Sequence, residues 1–414
     1  MKPRTAEAAR FALRPTPAAS DAQHGPHRRV PLPKAPVLGW GSFWPPRAAT
    51  LPRVADLPHR LTTSGRAALL AALRLAALPP GSGVLVPSYH CPTMVAPVLQ
   101  AGLQPLYFAL DAQGLPNLEA IEPRVAAQAR VMFVAQYFGL PQGLQAVLDW
   151  CEARGILLVE DCAHSFFGQA GGRPVGRWGH YAIASLSKFF PLAEAGLLAS
   201  SQRALPELPL HRPGLKLQLR GVLDVLQHAH THDRLTGLSS LAAPLAWKAN
   251  GSTKNEPALP TGVLSASPED TMASADMARA NQAPTWAARA LFAALPEQPI
   301  VQQRRANFKS WQDALKGAPG ARGLVPELPE ASAPYVYPFW VDGAERADQV
   351  YADMRQARLP VFRWDRVWPG TPADPADTGM QWSRHLLQLL CHQSLDAADI
   401  AYSAEVLRHA LQRH

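Results

Sequence analysis

Between residues 62 and 200 the chain alternates short apolar runs with amphipathic helical stretches, and this alternation limits its fold more than any other feature. The spacing predicts helices over 64–77, 93–101, 118–128 and 144–154, and strands over 84–87, 105–110, 130–138, 156–161, 181–187 and 196–200. Strands separated by helices are joined by crossovers rather than hairpins, so they assemble into a mainly parallel sheet covered on both faces. Ligands of such sheets gather beyond the carboxyl ends of the strands.

The regular pattern lapses after 202. Residues 202–267 are rich in Pro, Gly, His and Ser and read as an irregular excursion with a helix near 215–227. Helical patterning returns over 271–315. A smaller α/β unit follows, with a strand over 336–341, a helix over 347–357 and a last helix over 397–411. No internal repeat of fixed period is present. Hydrophobic residues make up 47% of the 414, enough for a packed core, and the 41 prolines mark connections rather than a collagen-like repeat.

Charge and composition exclude several classes. Residues 1–36 carry seven Lys or Arg and two acids, or +5 of the formal +8, so the body is nearly neutral and has no basic groove for nucleic acid. The proline-rich stretch 1–35 is expected to be a disordered basic tail. No uncharged apolar run is long enough to insert in a membrane, and the N-terminus lacks a secretory apolar region. Cys91, Cys151, Cys162 and Cys391 are scattered without metal-ligand spacing, as for reduced thiols in a cytoplasm. His228, His230 and His232 beside Asp233 read as a solvated stretch rather than a metal site.

Three segments converge at expected strand ends or helix starts: Thr63 to Ala67, Glu160 to His164, and Ser185 to Lys188. Ser64 and Gly65 open a helix, whose unpaired N–H groups and positive dipole end suit a phosphate; Ser64 acting only as an N-cap is the alternative. Asp161 ends an apolar strand, where an unpaired carboxylate is costly, so it requires either a cationic partner or a capping role. Lys188 is the only lysine between Lys34 and Lys216, amid many arginines and flanked by Leu186, Phe189 and Phe190. An amine can lose its proton when buried and a guanidinium cannot, so this lysine suits Schiff-base chemistry.

These segments, together with Val86 to Cys91, Tyr137 to Pro141 and Gly172 to Gly176, resemble the DegT/DnrJ/EryC1/StrS aminotransferases. The resemblance runs from about 61 to 200, and more weakly through Arg304 to Phe308 and beyond. It implies an α/β fold of the pyridoxal-phosphate fold type I: a three-layer large domain with a mainly parallel seven-stranded sheet over 36–284, and a smaller C-terminal α/β domain over 285–414. It also implies a homodimer, and amino transfer from a donor such as glutamate to a keto sugar, nucleotide-linked, with pyridoxal 5'-phosphate as cofactor. Lys188 becomes the internal-aldimine lysine and Asp161 the partner of the pyridine nitrogen. His164 is placed near the ring hydroxyl, and Gly65, Arg66 and Ser185 around the phosphate. This chain departs from the family's usual residues at Arg66, Cys91 and Ile183, and has Ala195 where the first of two glycines is common. Tyr89 is expected to supply the ring face that Cys91 lacks. Arg363, Trp364, Arg366 and Trp368 are the candidates for holding the nucleotide. The altered contacts also allow a non-catalytic binding or scaffold protein on the same fold.

Overall fold

A computed structural model describes residues 32–43, 51–238, 271–273 and 275–414. The expected tail up to residue 31 and the part of the excursion from 239 to 267 lie outside the described residues. From Leu32 the chain packs on the body: Val37 and Leu38 are buried, and His392 Nε2 lies 3.0 Å from the Pro33 carbonyl.

The strands are β1 (His59–Thr62), β2 (Gly83–Pro87), β3 (Gln104–Phe108), β4 (Ala129–Ala135), β5 (Leu157–Asp161), a short ribbon of β6 (Gln169–Ala170) and β7 (Arg173–Pro174), β8 (Tyr181–Ser185) and β9 (Gly196–Ala199). Seven of them form one sheet in the order β1-β9-β8-β5-β4-β2-β3. β2, β3, β4, β5 and β8 run parallel; β9 pairs antiparallel with β8, and β1, antiparallel to β9, closes that edge. The mainly parallel sheet is therefore as expected. Its central strands are apolar on both faces because both are covered; every residue of β2 and β9 is buried.

Helices follow the strands: α1 (Gly65–Ala76), α2 (Pro92–Gln100), α3 (Pro123–Gln128), α4 (Gln145–Glu152) and α5 (Leu215–Thr231). α1 begins where the Ser64 side chain accepts from the Ala67 N–H, and it buries Ala68, Leu69, Leu70 and Leu73. The single helix expected over 118–128 is split into a 3-10 turn, Leu118–Ala120, and α3. Pro123 has no N–H and keeps Glu122 out of helical conformation, so the helix restarts with proline in its first turn. The strand expected to reach 138 stops at Ala135. The chain then turns sharply, with Phe138 and Gly139 at φ of 62° and 80°. A Cβ on Gly139 would overlap the Tyr335 amide and the Ala333 carbonyl, so glycine allows residues 333–335 to pass against this turn.

The C-terminal unit is a four-stranded antiparallel sheet, β10 (Ala321–Gly323), β11 (Val336–Val341), β12 (Val361–Phe362) and β13 (Leu386–Leu390), in the order β10-β11-β13-β12. Helices Gln298–Ala314 and Ala344–Gln356 pack on it, and Ala397–Arg413 packs against both of them. β11 was expected at these residues. β13 was not: its five buried residues, Leu-Leu-Gln-Leu-Leu, have no alternation to separate a buried strand from a helix. The helix Trp286–Ala294 packs on α5, and its Ala288 and Phe292 join Phe166 and Phe190 in the core of the larger unit. Among the described residues no helix is long and apolar enough to cross a membrane.

Buried histidines join the units. His90 Nδ1 lies 2.8 Å from the Pro87 carbonyl, which makes it the donor there, and Nε2 accepts from the Trp368 N–H at 3.0 Å. Burial lowers the pKa of His90 to about 4 and that of His392 to about 3. In the unfolded chain both titrate near 6.5. Their contribution to stability is therefore complete above pH 6.5 and is lost as pH falls toward the folded values, because the unfolded chain then binds protons that the fold excludes. His392→Gln removes the titration and keeps a donor toward Pro33. Relative to this variant, the natural protein is expected to lose on the order of 2–3 kcal/mol between about pH 7 and pH 4.5. Urea melts of both proteins across that range check it, and parallel pH profiles would contradict it.

Candidate active site

Strand register aligns the floor of the site. Ala135 of β4 pairs with Asp161 of β5, which pairs with Ile183 of β8, so three aligned residues of neighbouring strands line one cavity of about 580 Å³, into which β8 runs on to Ser185. Adjacent strand residues face opposite ways. Glu160 points away, where Gln136 Nε2 and the Trp178 N–H each donate to its carboxylate at 3.1 Å. Asp161 lines the cavity, 7% exposed, with Oδ1 accepting from the Ala163 N–H at 2.8 Å. Burial raises its pKa, and the Ala163 N–H and the Lys188 ammonium pull it back down.

Lys188 ends the 3-10 turn Leu186–Lys188 that follows β8. Its Nζ lies 5.3 Å from the centre of the Tyr335 ring. Burial lowers its pKa against the attraction of Asp161, so the amine gives up its proton more readily than a surface lysine. His164 stacks on the same ring at 4.4 Å, and its Nδ1 accepts from the Phe138 N–H at 3.4 Å. Burial, then the Lys188 charge, hold the His164 pKa well below the usual value, so the imidazole is neutral.

The start of α1 forms another wall. Ser64 Oγ accepts from the Ala67 N–H at 3.2 Å and its carbonyl accepts from the Ala68 N–H at 3.0 Å. The N–H groups of Gly65 and Arg66 have no acceptor within the helix, and they stand at its positive end. The Ser64 hydroxyl thus caps, and the anion-binding capacity lies in the two amides after it. Ser185 and Ser187 line the cavity as well. The Arg66 guanidinium turns toward Asp276, with Nε on its carbonyl at 3.0 Å and Nη2 on Oδ2 at 3.4 Å.

Seven of the residues singled out in the sequence, Ser64, Gly65, Arg66, Asp161, His164, Ser185 and Lys188, therefore line one cavity. Tyr89 does not. It is fully buried, its ring packs with Tyr137, Phe138 and Trp382, and its hydroxyl accepts from Gln388 Nε2 at 3.1 Å. Aromatic packing takes up its ring, and the aromatic residue on the cavity is Trp364, 4.8 Å from His164 and 5.2 Å from Tyr89. Of the other nucleotide candidates, Arg363 is spent on Asp348 and the carbonyls of Ser383 and Arg384, Trp368 is buried under the main sheet, and Arg366 lies off the cavity. Among the described residues no group of three or more His, Cys, Asp or Glu is arranged to hold a metal.

Sequence reasoning missed Gln136, Glu194 and Arg279, and the α5 residues Arg220 and Asp224, all on the cavity. Gln136 directly precedes the matched Tyr137 segment and Glu194 the shortened glycine pair, so proximity to motifs was the available signal. α5 offered none. The arginines here are paired: Arg279 with Glu194, Arg220 with Asp224 at 3.7 Å, and Arg66 with Asp276.

Residues 58–218 match the model of the DegT/DnrJ/EryC1/StrS aminotransferase family. The chain is 23% identical over 367 residues to a dTDP-4-dehydro-2,3,6-trideoxy-D-glucose 4-aminotransferase of Saccharopolyspora spinosa, covering 85% of this chain and 84% of that one. Over 147 residues it is 24% identical to a GDP-perosamine synthase of Vibrio cholerae, a match that spans 34% of this chain and 40% of the other. Among solved structures, the aminotransferase TlmJ of Streptoalloteichus hindustanus aligns with a TM-score of 0.56 at 19% identity over 86% of each chain. A putative sugar aminotransferase of Streptococcus pneumoniae, in its PMP form, aligns at 0.58 and 16% identity over 87% of this chain and 88% of that one. The fold is therefore that of pyridoxal-phosphate fold type I aminotransferases.

The wall at α1 depends on a close approach. A Cβ on Gly196, in β9, would overlap the Ser64 backbone and the Gly65 nitrogen, whereas one on Gly65 meets Ser185 Cβ at an ordinary 3.4 Å. Gly196→Ala is expected to cost about 3 kcal/mol or more and Gly65→Ala less than about 1 kcal/mol, by urea denaturation. Equal costs would show that α1 shifts freely on the sheet.

Proposed function

We propose that this chain, a member of the DegT/DnrJ/EryC1/StrS aminotransferase family, transfers an amino group from a donor such as glutamate to the keto group of a nucleotide-linked sugar, using pyridoxal 5'-phosphate. The observation that carries the reading is the meeting of Lys188, Asp161 and the start of α1 in one cavity. A buried carboxylate, an amine with a lowered pKa and a pair of helix-end amides are the three groups that a pyridine nitrogen, a carbonyl carbon and a phosphate require.

The residues therefore fit the cofactor. When bound, pyridoxal phosphate supplies the electron sink for charge left on the amino-bearing carbon. Asp161 would accept from the protonated ring nitrogen and so hold the proton there. Neutral His164, whose Nδ1 accepts from the Phe138 N–H, would present Nε2 as a donor to the cofactor's edge, and the Gly65 and Arg66 amides with the Ser185 hydroxyl would bind the phosphate. Lys188 would anchor the cofactor and, once freed, carry a proton at Nζ to and from the substrate carbon. The flanking aromatic rings of Tyr335 and Trp364 exclude water from that proton.

The sugar assignment rests on the relatives' activities, since nothing in the cavity presents an unpaired arginine for a diphosphate among the described residues. A homodimer belongs to the same proposal. Leu215 and Leu219 stand exposed on α5, which walls the cavity, and Trp286 stands exposed beside them. A cytoplasmic location also belongs to it, supported by four free cysteines.

Purified protein supplied with pyridoxal phosphate is expected to show a visible absorption band that borohydride abolishes, and Lys188→Ala to lack both the band and amino transfer. Absence of the band in the natural protein would overturn the reading. With the aminated cofactor form, nucleotide keto sugars are expected to restore the band; restoration by simple keto acids alone would defeat the sugar assignment and leave the transaminase.

A further inference from the structure

Arg304, on the helix Gln298–Ala314, is 0% exposed. Its donors go to Lys188 O at 2.6 Å, Pro334 O at 3.1 Å and Gln393 Oε1 at 3.2 Å, and its guanidinium lies 4.5 Å over the Phe189 ring. Among the described residues it has no carboxylate partner. A guanidinium held only by carbonyl groups and a ring is costly to bury, and packing alone is met more cheaply by leucine or methionine. Gln393 reinforces the arrangement by donating from Nε2 to the Phe189 carbonyl at 2.7 Å.

We propose that Arg304 is a positioning residue that sets the place of the Lys188 amine relative to the Tyr335 ring, so that the C-terminal unit controls the reactivity of the lysine. The geometry is specific. One planar fork grips the backbone of Lys188 and the backbone one residue before Tyr335. The Tyr335 ring lies under Nζ at 5.3 Å and stacks on His164 at 4.4 Å, and the Tyr335 N–H donates to Phe138 O at 2.8 Å. Arg304 thus spans the two segments, and the catalytic groups need no direct contact with it. Lysine keeps the charge but offers no rigid fork and cannot span both carbonyls in the same way. This inference rests on the aminotransferase reading.

The test uses the cofactor-loaded full chain with Arg304→Lys, Arg304→Met and Gln393→Leu. The lysine–cofactor band of the natural protein first establishes that reading separately. The expected result for Arg304→Met is a fall in kcat of about a hundredfold, as for misplacement near 1 Å, with the KM for the amino donor unchanged. The pH midpoint of the band should also shift and its borohydride reduction should slow. Gln393→Leu should give smaller changes of the same sign, and Arg304→Lys should retain folding but only part of the kcat. A folded Arg304→Lys and Gln393→Leu with the natural kcat and the natural band midpoint would overturn the proposal, even if Arg304→Met failed to fold. So would losses of kcat accompanied by no change in the band midpoint in any folded variant.

Discussion

Asp161 and Lys188 carry opposite charges in a place largely withdrawn from bulk water, and the architecture around them holds that pair in position. Burial acts against both ionised forms, raising the carboxyl pKa and lowering that of the amine, while each charge partly restores the other. Neither residue is stable there alone, because an unpaired buried charge costs several kcal/mol. The surrounding shape answers that constraint. β4 and β5 end level at Ala135 and Asp161, β8 runs on to Ser185, the turn after it carries Lys188 to the cavity, and α1 closes the side with its positive end.

The second constraint is that the site is built from two units that must stay in register. His90 at the end of β2 accepts from the Trp368 amide, the Asp377 carboxylate accepts from the Leu110 N–H at 2.9 Å, and the Phe138 carbonyl accepts from Tyr335. These bonds seat Trp364 and Tyr335 against His164. Packing also decides where they sit: the rings of Tyr89, Tyr137, Phe138 and Trp382 form one aromatic cluster behind the cavity, and it belongs to both units.

Much of this was legible in the chain. Period and length placed the parallel strands, because a strand buried on both faces must be apolar throughout and a covering helix must repeat every 3.6 residues. Asp161 and Lys188 stood out because a charge at the end of an apolar run requires a partner, and a lone lysine among arginines can lose a proton. Glu160, its neighbour, is also buried, yet it is satisfied by Gln136 and Trp178 and faces away. Strand alternation alone separates the two.

The amino-acid order by itself pointed to the parallel strands of the large sheet, to most of the helices that cover them, and to the acid and the amine that meet in the cavity. These follow from local periodicity and from the cost of burying charge. Only the tertiary structure decided that Tyr89 packs inward and Trp364 takes the cavity, that Arg304 binds the lysine's backbone from 116 residues away, and that α5 supplies a wall. Those choices depend on contacts between segments far apart in the chain, and their energy comes from shape matching and shared hydrogen bonds that no local window contains.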